Sequence, residues 1–417
     1  MPATTDTTAD NLLITLMLTP DGRSDPYPLY RELRETAPVL RSALGPMVLS
    51  RHADCLSALR NPKLGRGSAL RKEQGGGSPL SLGFDVDPEL RAAFFDRSAD
   101  NMLFADPPDH TRLRGLSSRA FTPGRVEAMR PSIQAMVDDV LDRVAANGDV
   151  DVMTELAFPL PVRVIGEFVG VPPEDRAQFQ PLVRVSAAAI EPTADADTLR
   201  AALSAQEEMR RYFRDLLAQR RRQPQDDFLS VLAEATDSED ALTDEEIVAT
   251  SILLFAAGFE TTTNLIGNGL LALLRAPEQL DRWRQDPGLA HTAVEELLRW
   301  DSPVQVNLRT ALQPVEVAGE PLEPGDVVLI LQGGANRDPE RFDNAETLDL
   351  GRTGNQPLSF GWGIHHCLGA PLARLEGEIV FTSLFDRFGS IELLDENPQW
   401  RPNLTLRGLA ALPVRMG

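Results

Sequence analysis

The stretch Phe360-Gly361-Trp362-Gly363-Ile364-His365-His366-Cys367-Leu368-Gly369 runs directly into Ala370-Pro371-Leu372-Ala373-Arg374, and it decides how the rest of the chain is interpreted. The two early glycines, Gly361 and Gly363, let the backbone approach a flat ligand without side chains in the way. Cys367 stands where a helix is predicted to begin. The free N–H groups and positive potential of a helix start stabilise a thiolate over a thiol. We therefore expect Cys367 to have a lowered pKa.

A thiolate held in this way can bind haem iron and donate electron density that favours O–O cleavage. Three other interpretations are weaker. A lone cysteine is usually a buried structural residue, but the flanking glycine pattern argues against that role. A cysteine protease would use His366 as its base, yet adjacent residues rarely face each other productively. A zinc site on His365, His366 and Cys367 lacks a second Cys/His pair.

The segment resembles the haem-binding loop of the cytochrome P450 family, whose Phe-Gly-x-Gly-x-His/Arg-x-Cys-x-Gly pattern it matches at every fixed position. The resemblance implies that Cys367 is the metal-binding axial ligand of a haem b iron and that His365 bonds a haem propionate. It also implies that Phe360 packs on the sulfur side, with Gly361 beside the cofactor. The implied fold is mainly α with a minor β portion, and the haem lies between the long central helix and the helix after Cys367.

A second motif, Ala257-Gly258-Phe259-Glu260-Thr261-Thr262, lies in the middle of a predicted helix of about 32 residues. This helix starts at the capping box Thr243-Asp244-Glu245-Glu246. Its apolar middle predicts a core position, where a Thr hydroxyl can bond back to the preceding turn. The motif resembles the family's oxygen-activating segment. The resemblance makes Glu260 and Thr261 the catalytic acid–alcohol pair that relays protons, and Ala257 the small residue beside the oxygen pocket.

Cationic side chains are the expected partners of the two haem propionates. His110 and Arg114 lie one helical turn apart on one predicted face. The family places such a His/Arg pair at this point of the chain, and another arginine in a later strand. The resemblance therefore implies that His110, Arg114 and Arg309 bind the cofactor.

Glu296 and Arg299 have opposite charges three positions apart on one helical face, which alone is a common surface pattern. Beside the haem loop, the pair resembles the family's buried Glu-x-x-Arg motif. In the family an arginine from the segment before the haem loop joins this pair. Arg352 is the preferred third member, and Arg337 is the second candidate.

Composition excludes several other kinds of protein. The 417 residues include 62 acidic and 41 basic ones, for a formal net charge of −21, and two cysteines. Two cysteines cannot build a disulfide framework, and an iron–sulfur cluster needs about four. The negative charge disfavours nucleic acid as a partner. The apolar run Leu12–Leu18 is far shorter than the roughly 20 residues that span a bilayer, so we expect a cytoplasmic protein without a membrane partner.

The resemblance covers residues 25–417 and implies that they form one P450 domain. The polar, Thr-rich residues 1–24 are expected to be a flexible N-terminus. Residues 38–50 read as a strand, a turn and a strand, and residues 315–331 are also β-like, with a turn at Ala318-Gly319. Asn61–Asp100 is a long irregular stretch that contains Gly75, Gly76 and Gly77. A loop of this length is typical of a functional segment, here a lid over the substrate pocket.

The resemblance implies a monooxygenase that hydroxylates or epoxidises a lipophilic small molecule of specialised metabolism, as a monomer. It would use dioxygen and electrons from a separate ferredoxin and its reductase. The expected pocket walls are the Asn61–Asp100 loop, the Ala189 region, Leu253–Thr261 and Val304–Leu308, which are mostly apolar.

Arginines concentrate between His110 and Arg130 in an otherwise acidic chain. We call Arg112, Arg114, Arg119, Arg125 and Arg130 the arginine island. We expect its exposed members to dock an acidic ferredoxin on the thiolate side of the haem, so that charge reversal of Arg112 or Arg125 slows reduction.

Three alternatives stay open at this stage. A haem-thiolate peroxygenase would use peroxide without a redox partner, although the intact Glu260–Thr261 pair argues against it. A non-inserting oxidase with the same fold would carry out a reaction such as aromatic coupling. A non-catalytic haem sensor or carrier would give the Glu-Thr pair no purpose.

Overall fold

The structure is a computed structural model that describes residues 7–68, 70, 87–98, 101–191, 193–234 and 241–417. It is 59% helical, so the predicted mainly α fold with a minor β portion is confirmed. The α-helices are α1 (Thr7–Leu18), α2 (Pro20–Ser24), α3 (Tyr27–Thr36), α4 (His52–Arg60), α5 (Pro88–Ser98), α6 (Asp109–Ser118), α7 (Pro123–Ala128), α8 (Arg130–Ala145), α9 (Pro159–Val169), α10 (Phe179–Ala188), α11 (Ala196–Arg222), α12 (Phe228–Glu234), α13 (Asp244–Leu274), α14 (Pro277–Gln285), α15 (Ala290–Trp300), α16 (Gln332–Ala335) and α17 (Ala370–Arg387). The strands are β1 (Val39–Arg41), β2 (Met47–Leu49), β3 (Leu64–Gly65), β4 (Asp149–Asp151), β5 (Asn307–Ala311), β6 (Val315–Val317), β7 (Glu320–Leu322), β8 (Val327–Ile330), β9 (Ile391–Leu393) and β10 (Pro413–Met416).

Helix α13 is the long central helix that the sequence predicts. The Thr243 hydroxyl accepts the Glu246 N–H at 3.2 Å, and the Glu246 carboxylate accepts the Thr243 N–H at 2.8 Å, which confirms the capping box. The largest apolar cluster of the chain surrounds α13, and α9, α11 and α17 pack on it. In the described ranges no helix, α13 included, is long and apolar enough to cross a membrane.

The main sheet combines strands from the N-terminal part of the chain with strands from its C-terminal part. A five-stranded sheet has the order β1-β2-β8-β5-β3, in which β2 and β8 are parallel and the other neighbours are antiparallel. The predicted hairpin of residues 38–50 forms β1 and β2. The predicted turn at Ala318-Gly319 joins β6 to β7, and both residues have positive φ, 51° and 84°. The sheet places β5, which carries Arg309, beside the cavity described below.

The expectation of a flexible N-terminus is wrong for residues 7–24. These residues form α1 and α2, and Ala9, Leu13 and Leu16 of α1 are buried against Tyr30 of α3. Their spacing puts them on one helical face, and burying that face offsets the cost of ordering the segment. The Asp10 carboxylate also accepts the Ser42 hydroxyl at 2.6 Å.

The long stretch Asn61–Asp100 is only partly irregular. Residues 64–65 form β3, and Pro88–Ser98 forms α5. The three consecutive glycines of the predicted lid lie outside the described residues. Among the described residues of this stretch, Gly65 and Arg66, together with Phe94 of α5, line the cavity.

A buried ion cluster fixes the segment that leads into the cysteine loop. Glu296 and Arg299, both fully buried, form two hydrogen bonds of 2.8 Å. Arg352 binds the same carboxylate at 3.0 and 3.2 Å, which confirms it as the third member. Arg337 bonds the Trp300 carbonyl instead and stacks on its ring. The second candidate is therefore wrong.

Removing Arg352 takes away its hydrogen bonds to the buried Glu296 carboxylate, which then keeps Arg299 as its charged partner. We expect Arg352→Ala to lower the free energy of unfolding by about 1.5–3 kcal/mol, the range for hydrogen bonds to charged groups. Urea denaturation measures the change. Arg143→Ala, which breaks an exposed pair with Asp139, is the control and should cost about 0.2–1 kcal/mol. Equal effects of the two substitutions would contradict a structural role for the Glu296 cluster.

Candidate active site

The cysteine loop folds as a tight turn that delivers Cys367 to the start of α17. The Cys367 N–H donates to the Phe360 carbonyl at 2.9 Å, which closes the loop. Gly361 and Gly363 have φ of 65° and 72°, a conformation that favours glycine. A Cβ on Gly363 would lie 2.5 Å from the Leu59 carbonyl oxygen, so a side chain does not fit there.

The loop and the middle of α13 face each other across one cavity. Most of the cofactor and catalytic residues predicted from the sequence line it: Arg114, Ala257, Glu260, Thr261, Phe360, Gly361, His365 and Cys367. His110 and Arg309 lie just behind this lining, and the His110 ring contacts the His365 ring at a tilt of 57°, with centroids 4.3 Å apart. Two distant parts of the sequence, residues 257–261 and 360–367, thus meet at one site.

Basic side chains crowd one side of the cavity. Burial lowers the pKa of His110 to about 4, and repulsion from Arg114 and Arg66 adds to this effect. Burial, with Arg66 and Arg309 nearby, also lowers the pKa of His365. The Nε2 atoms of both histidines are buried and have no hydrogen-bond partner within the described ranges. Such a cluster fits a ligand with two carboxylates, and the two propionates of haem have that chemistry.

The expected lowering of the Cys367 pKa is not the net effect. The sulfur faces the cavity but protein surrounds it, and this burial raises the pKa of the Cys367 thiol. The Gly369 and Ala370 amides, Arg114 and Arg374 act in the predicted direction, but burial has the larger effect. A metal ion bound to the sulfur would favour the thiolate, because coordination removes the thiol proton. The donor set fits haem iron.

The acid and the alcohol on α13 have different partners. The Thr261 hydroxyl donates to the Ala257 carbonyl at 2.7 Å, the backward bond that the sequence predicts. Glu260 is buried and its Oε1 forms an ion pair with Arg401, which comes from the C-terminal part of the chain. Its Oε2 is buried without a hydrogen-bond partner in the part of the chain that the structure describes. Arg401 therefore occupies one carboxylate oxygen of Glu260, and the other has no protein donor among the described residues.

Sequence reasoning missed two residues of the site. Arg66 follows β3, lines the cavity and donates to the Leu308 carbonyl at 3.1 Å, next to Arg309. Arg401 holds Glu260 and lies over the Phe158 ring at 4.8 Å. Neither residue belongs to a motif or a periodic pattern, so no local signal distinguishes it from a surface arginine.

Ion pairs offset much of the charge of the arginine island. Arg112 pairs with Glu246, and Arg125 pairs with Asp226. Arg130 pairs with Glu127, and Arg114 donates to the His366 carbonyl at 2.6 Å. The Arg119 backbone N–H donates to the Leu116 carbonyl at 3.2 Å, but its exposed side chain forms no hydrogen bond or ion pair with the described part of the chain. Its side chain is the island's clearest exposed charge.

Comparisons with known proteins agree with this geometry. The cytochrome P450 family model matches residues 176–287 and 288–415. The chain is 38% identical to the polyketide biosynthesis cytochrome P450 PksS of Bacillus subtilis, over 96% of this chain and 99% of the relative. It is 39% identical to 6-deoxyerythronolide B hydroxylase of Saccharopolyspora erythraea, over 95% and 98%.

Solved structures show the same likeness. The structure of P450BioI in complex with acyl carrier protein ligated to hexadec-9Z-enoic acid superposes with a TM-score of 0.87 at 35% identity. The match covers 95% of this chain and 99% of that chain. P450 proteins are haem-thiolate iron proteins, as the donor set of the cavity requires. The chain belongs to the cytochrome P450 family and is a haem-thiolate monooxygenase.

Proposed function

We propose that this monooxygenase oxidises a lipophilic small molecule in the cavity between α13 and the cysteine loop, with electrons from a ferredoxin. The observation that carries the proposal is the placement of Cys367 and the Glu260–Thr261 pair on one cavity. When bound, the haem supplies activation of dioxygen, with one oxygen atom going into the substrate and the other into water.

In this proposal the Cys367 thiolate would bind the haem iron, and the basic side of the cavity would hold the propionates. His110, Arg114, Arg309 and His365 take the roles that the sequence assigns them, and Arg66 joins them. Gly361 permits close approach of the backbone, and Ala257 leaves space on the opposite side. The charges of the propionates offset the repulsion that lowers the pKa values of the two histidines.

The proton path uses neighbouring side chains of α13. Thr261, on the cavity surface, would release its bond to the Ala257 carbonyl and pass its hydroxyl proton into the cavity. Glu260 would take up a proton from water on Oε2 and pass it on to Thr261, so that both groups return to their starting states. Because Arg401 holds one carboxylate oxygen, the proton moves through the other. This division of roles needs the acid buried and the alcohol on the cavity surface, as observed.

The walls of the cavity favour a lipophilic substrate. Phe94, Phe104, Ile190, Met209 and Leu253 are among the apolar lining residues, and desolvation of apolar surface drives binding in such a pocket. The names of two relatives, a polyketide biosynthesis P450 and 6-deoxyerythronolide B hydroxylase, support the same substrate class.

The chain offers a matched test of the axial ligand. We expect the reduced, CO-bound protein to show a strongly red-shifted Soret band, because a thiolate ligand would donate electron density to the iron. Cys367→Ala should abolish that band, whereas Cys55→Ala, which alters the other cysteine, should retain it. Absorption spectra of the dithionite-reduced, CO-bound proteins measure the position of the band. A red-shifted band in Cys367→Ala would overturn the assignment.

Thr261→Ala should divert electrons from product to hydrogen peroxide. Loss of a positioned proton donor costs about 10²–10⁴-fold in a general-acid step, so we expect product per NADPH to fall at least about tenfold. Substrates found by a spin-state screen serve for the assay, with a surrogate ferredoxin. Thr250→Ala, closer to the N-terminal end of α13, is the control. Turnover driven by added peroxide should survive, and unchanged coupling in Thr261→Ala would contradict the role.

Electron delivery is proposed to use Arg119 rather than the paired members of the arginine island. Arg119 ends α6, and Arg114 of the same helix contacts the cysteine loop. An acidic ferredoxin on this face approaches the thiolate side of the haem. Because Arg112 and Arg125 have carboxylate partners, they contribute less to attraction of an acidic protein.

We expect Arg119→Glu to slow reduction by ferredoxin by about threefold to tenfold at low salt, and the difference to shrink as salt rises. Stopped-flow reduction rates measure this. Arg211→Glu makes the same charge change at an exposed position of α11 and should have little effect. If both variants reduce at the wild-type rate, Arg119 does not form part of the docking face.

A further inference from the structure

One wall of the cavity belongs to a small apolar cluster that is separate from the main core. The cluster combines α5 with the connection between α10 and α11 and the start of α11. Its buried members are Phe94, Phe95, Ala189, Ala194, Leu199 and Ala202. Phe94 and the adjacent Ile190 line the cavity. A cluster this small buries little apolar surface, so its opening costs less than opening the core. We call it the distal flap.

The opposite wall is a fixed strand-like segment, residues 404–406. Thr405 and Leu406 line the cavity. The Thr405 carbonyl accepts the Gln305 N–H at 3.0 Å, and Leu406 forms a β-bridge with Val304. These bonds attach residues 404–406 to the segment before β5. When the cavity opens at this point, we therefore expect the distal flap to move and residues 404–406 to stay in place.

Glu191 joins the flap to this segment. Its buried carboxylate accepts the Leu404 and Thr405 N–H groups at 3.0 Å and the Leu406 N–H at 3.4 Å. Burial raises the pKa of Glu191, and the hydrogen bonds from these backbone amides oppose that effect by stabilising the carboxylate. One side chain of the flap thus binds three consecutive amides on the far wall.

Arg91 extends the connection to α5. Its guanidinium is fully buried and donates to the carbonyls of Glu191 and Ala194, each at 3.2 Å. Arg91 therefore holds the backbone that carries Glu191, while Glu191 holds the opposite wall. The two side chains link α5, the α10–α11 connection and residues 404–406 in series.

We propose that Glu191 is a specificity-determining latch, which keeps the distal flap closed on residues 404–406 and limits entry to the cavity by ligand size. A small ligand enters without breaking the latch. A bulky one enters only when the flap leaves residues 404–406 and the three hydrogen bonds break. The inference rests on the proposed function in one respect, namely that the cavity holds haem.

Two azoles of different size test the latch in the haem-loaded protein. Glu191→Gln keeps the side-chain volume but removes the charge and places an NH2 group against backbone donors. We expect the association rate of clotrimazole to rise about tenfold, since opening then breaks weaker bonds. The association rate of imidazole should stay within about twofold, because it does not need the flap to open. Stopped-flow difference spectra give both rates.

Hydrogen–deuterium exchange supplies a second readout that needs no haem. The amides of Leu404, Thr405 and Leu406 should exchange faster in Glu191→Gln. Glu208→Gln neutralises an exposed carboxylate on α11. It should change neither the association rates of the two azoles nor the exchange of the amides of residues 404–406. Arg91→Lys leaves the Glu191 carboxylate in place. It should also raise the association rate of clotrimazole and leave that of imidazole unchanged.

The outcomes are distinguishable. Faster exchange with an unchanged clotrimazole rate would show that Glu191 orders the segment without limiting entry, and would overturn the latch. Equal acceleration of clotrimazole and imidazole would also overturn it, because selection by size would be absent. Failure of wild-type protein to give the red-shifted CO spectrum would count against the proposed function, while the exchange result would still report on the latch contacts.

Discussion

The buried carboxylate of Glu296 is the constraint on which the cysteine loop depends. It binds two guanidinium groups, and one of these, Arg299, also donates to the Asn336 carbonyl at 2.9 Å. The Asn336 side chain in turn accepts the Leu358 N–H at 2.7 Å, two residues before the loop begins. Charges buried this deeply are costly unless fully paired, so the cluster admits one arrangement of these segments. The position of Cys367 follows from that arrangement.

The parts of the fold that follow local rules could be predicted from the sequence. The capping box at Thr243, the hairpin of residues 38–50 and the turn at Ala318-Gly319 each use a short pattern with its own physical cause. The N-terminus was mispredicted because its polar, Thr-rich composition concealed an amphipathic face. Ala9, Leu13 and Leu16 gain their stability from Tyr30 and other residues of a later helix, and composition carries no information about that contact.

The candidate site divides in the same way. Cys367, Glu260 and Thr261 lie in motifs, so their shared cavity could be anticipated. Arg66 and Arg401 reach the site through tertiary contacts alone. The direction in which the Cys367 pKa shifts could not be predicted from the sequence, for a different reason. A helix start stabilises a thiolate, but burial opposes it, and the balance depends on how completely protein encloses the sulfur. That enclosure comes from elements far apart in the chain.

Two carboxylates on different elements are held by one short loop. Arg401 pairs with Glu260 of α13, and the amides of residues 404–406 bind Glu191 of the flap. The Arg401 N–H donates to the Gly408 carbonyl at 3.0 Å, which closes the loop and makes it a unit. Because this unit is also bonded to the segment before β5, it is a common support for both carboxylates. The proposed latch and the proposed proton donor therefore depend on the same loop.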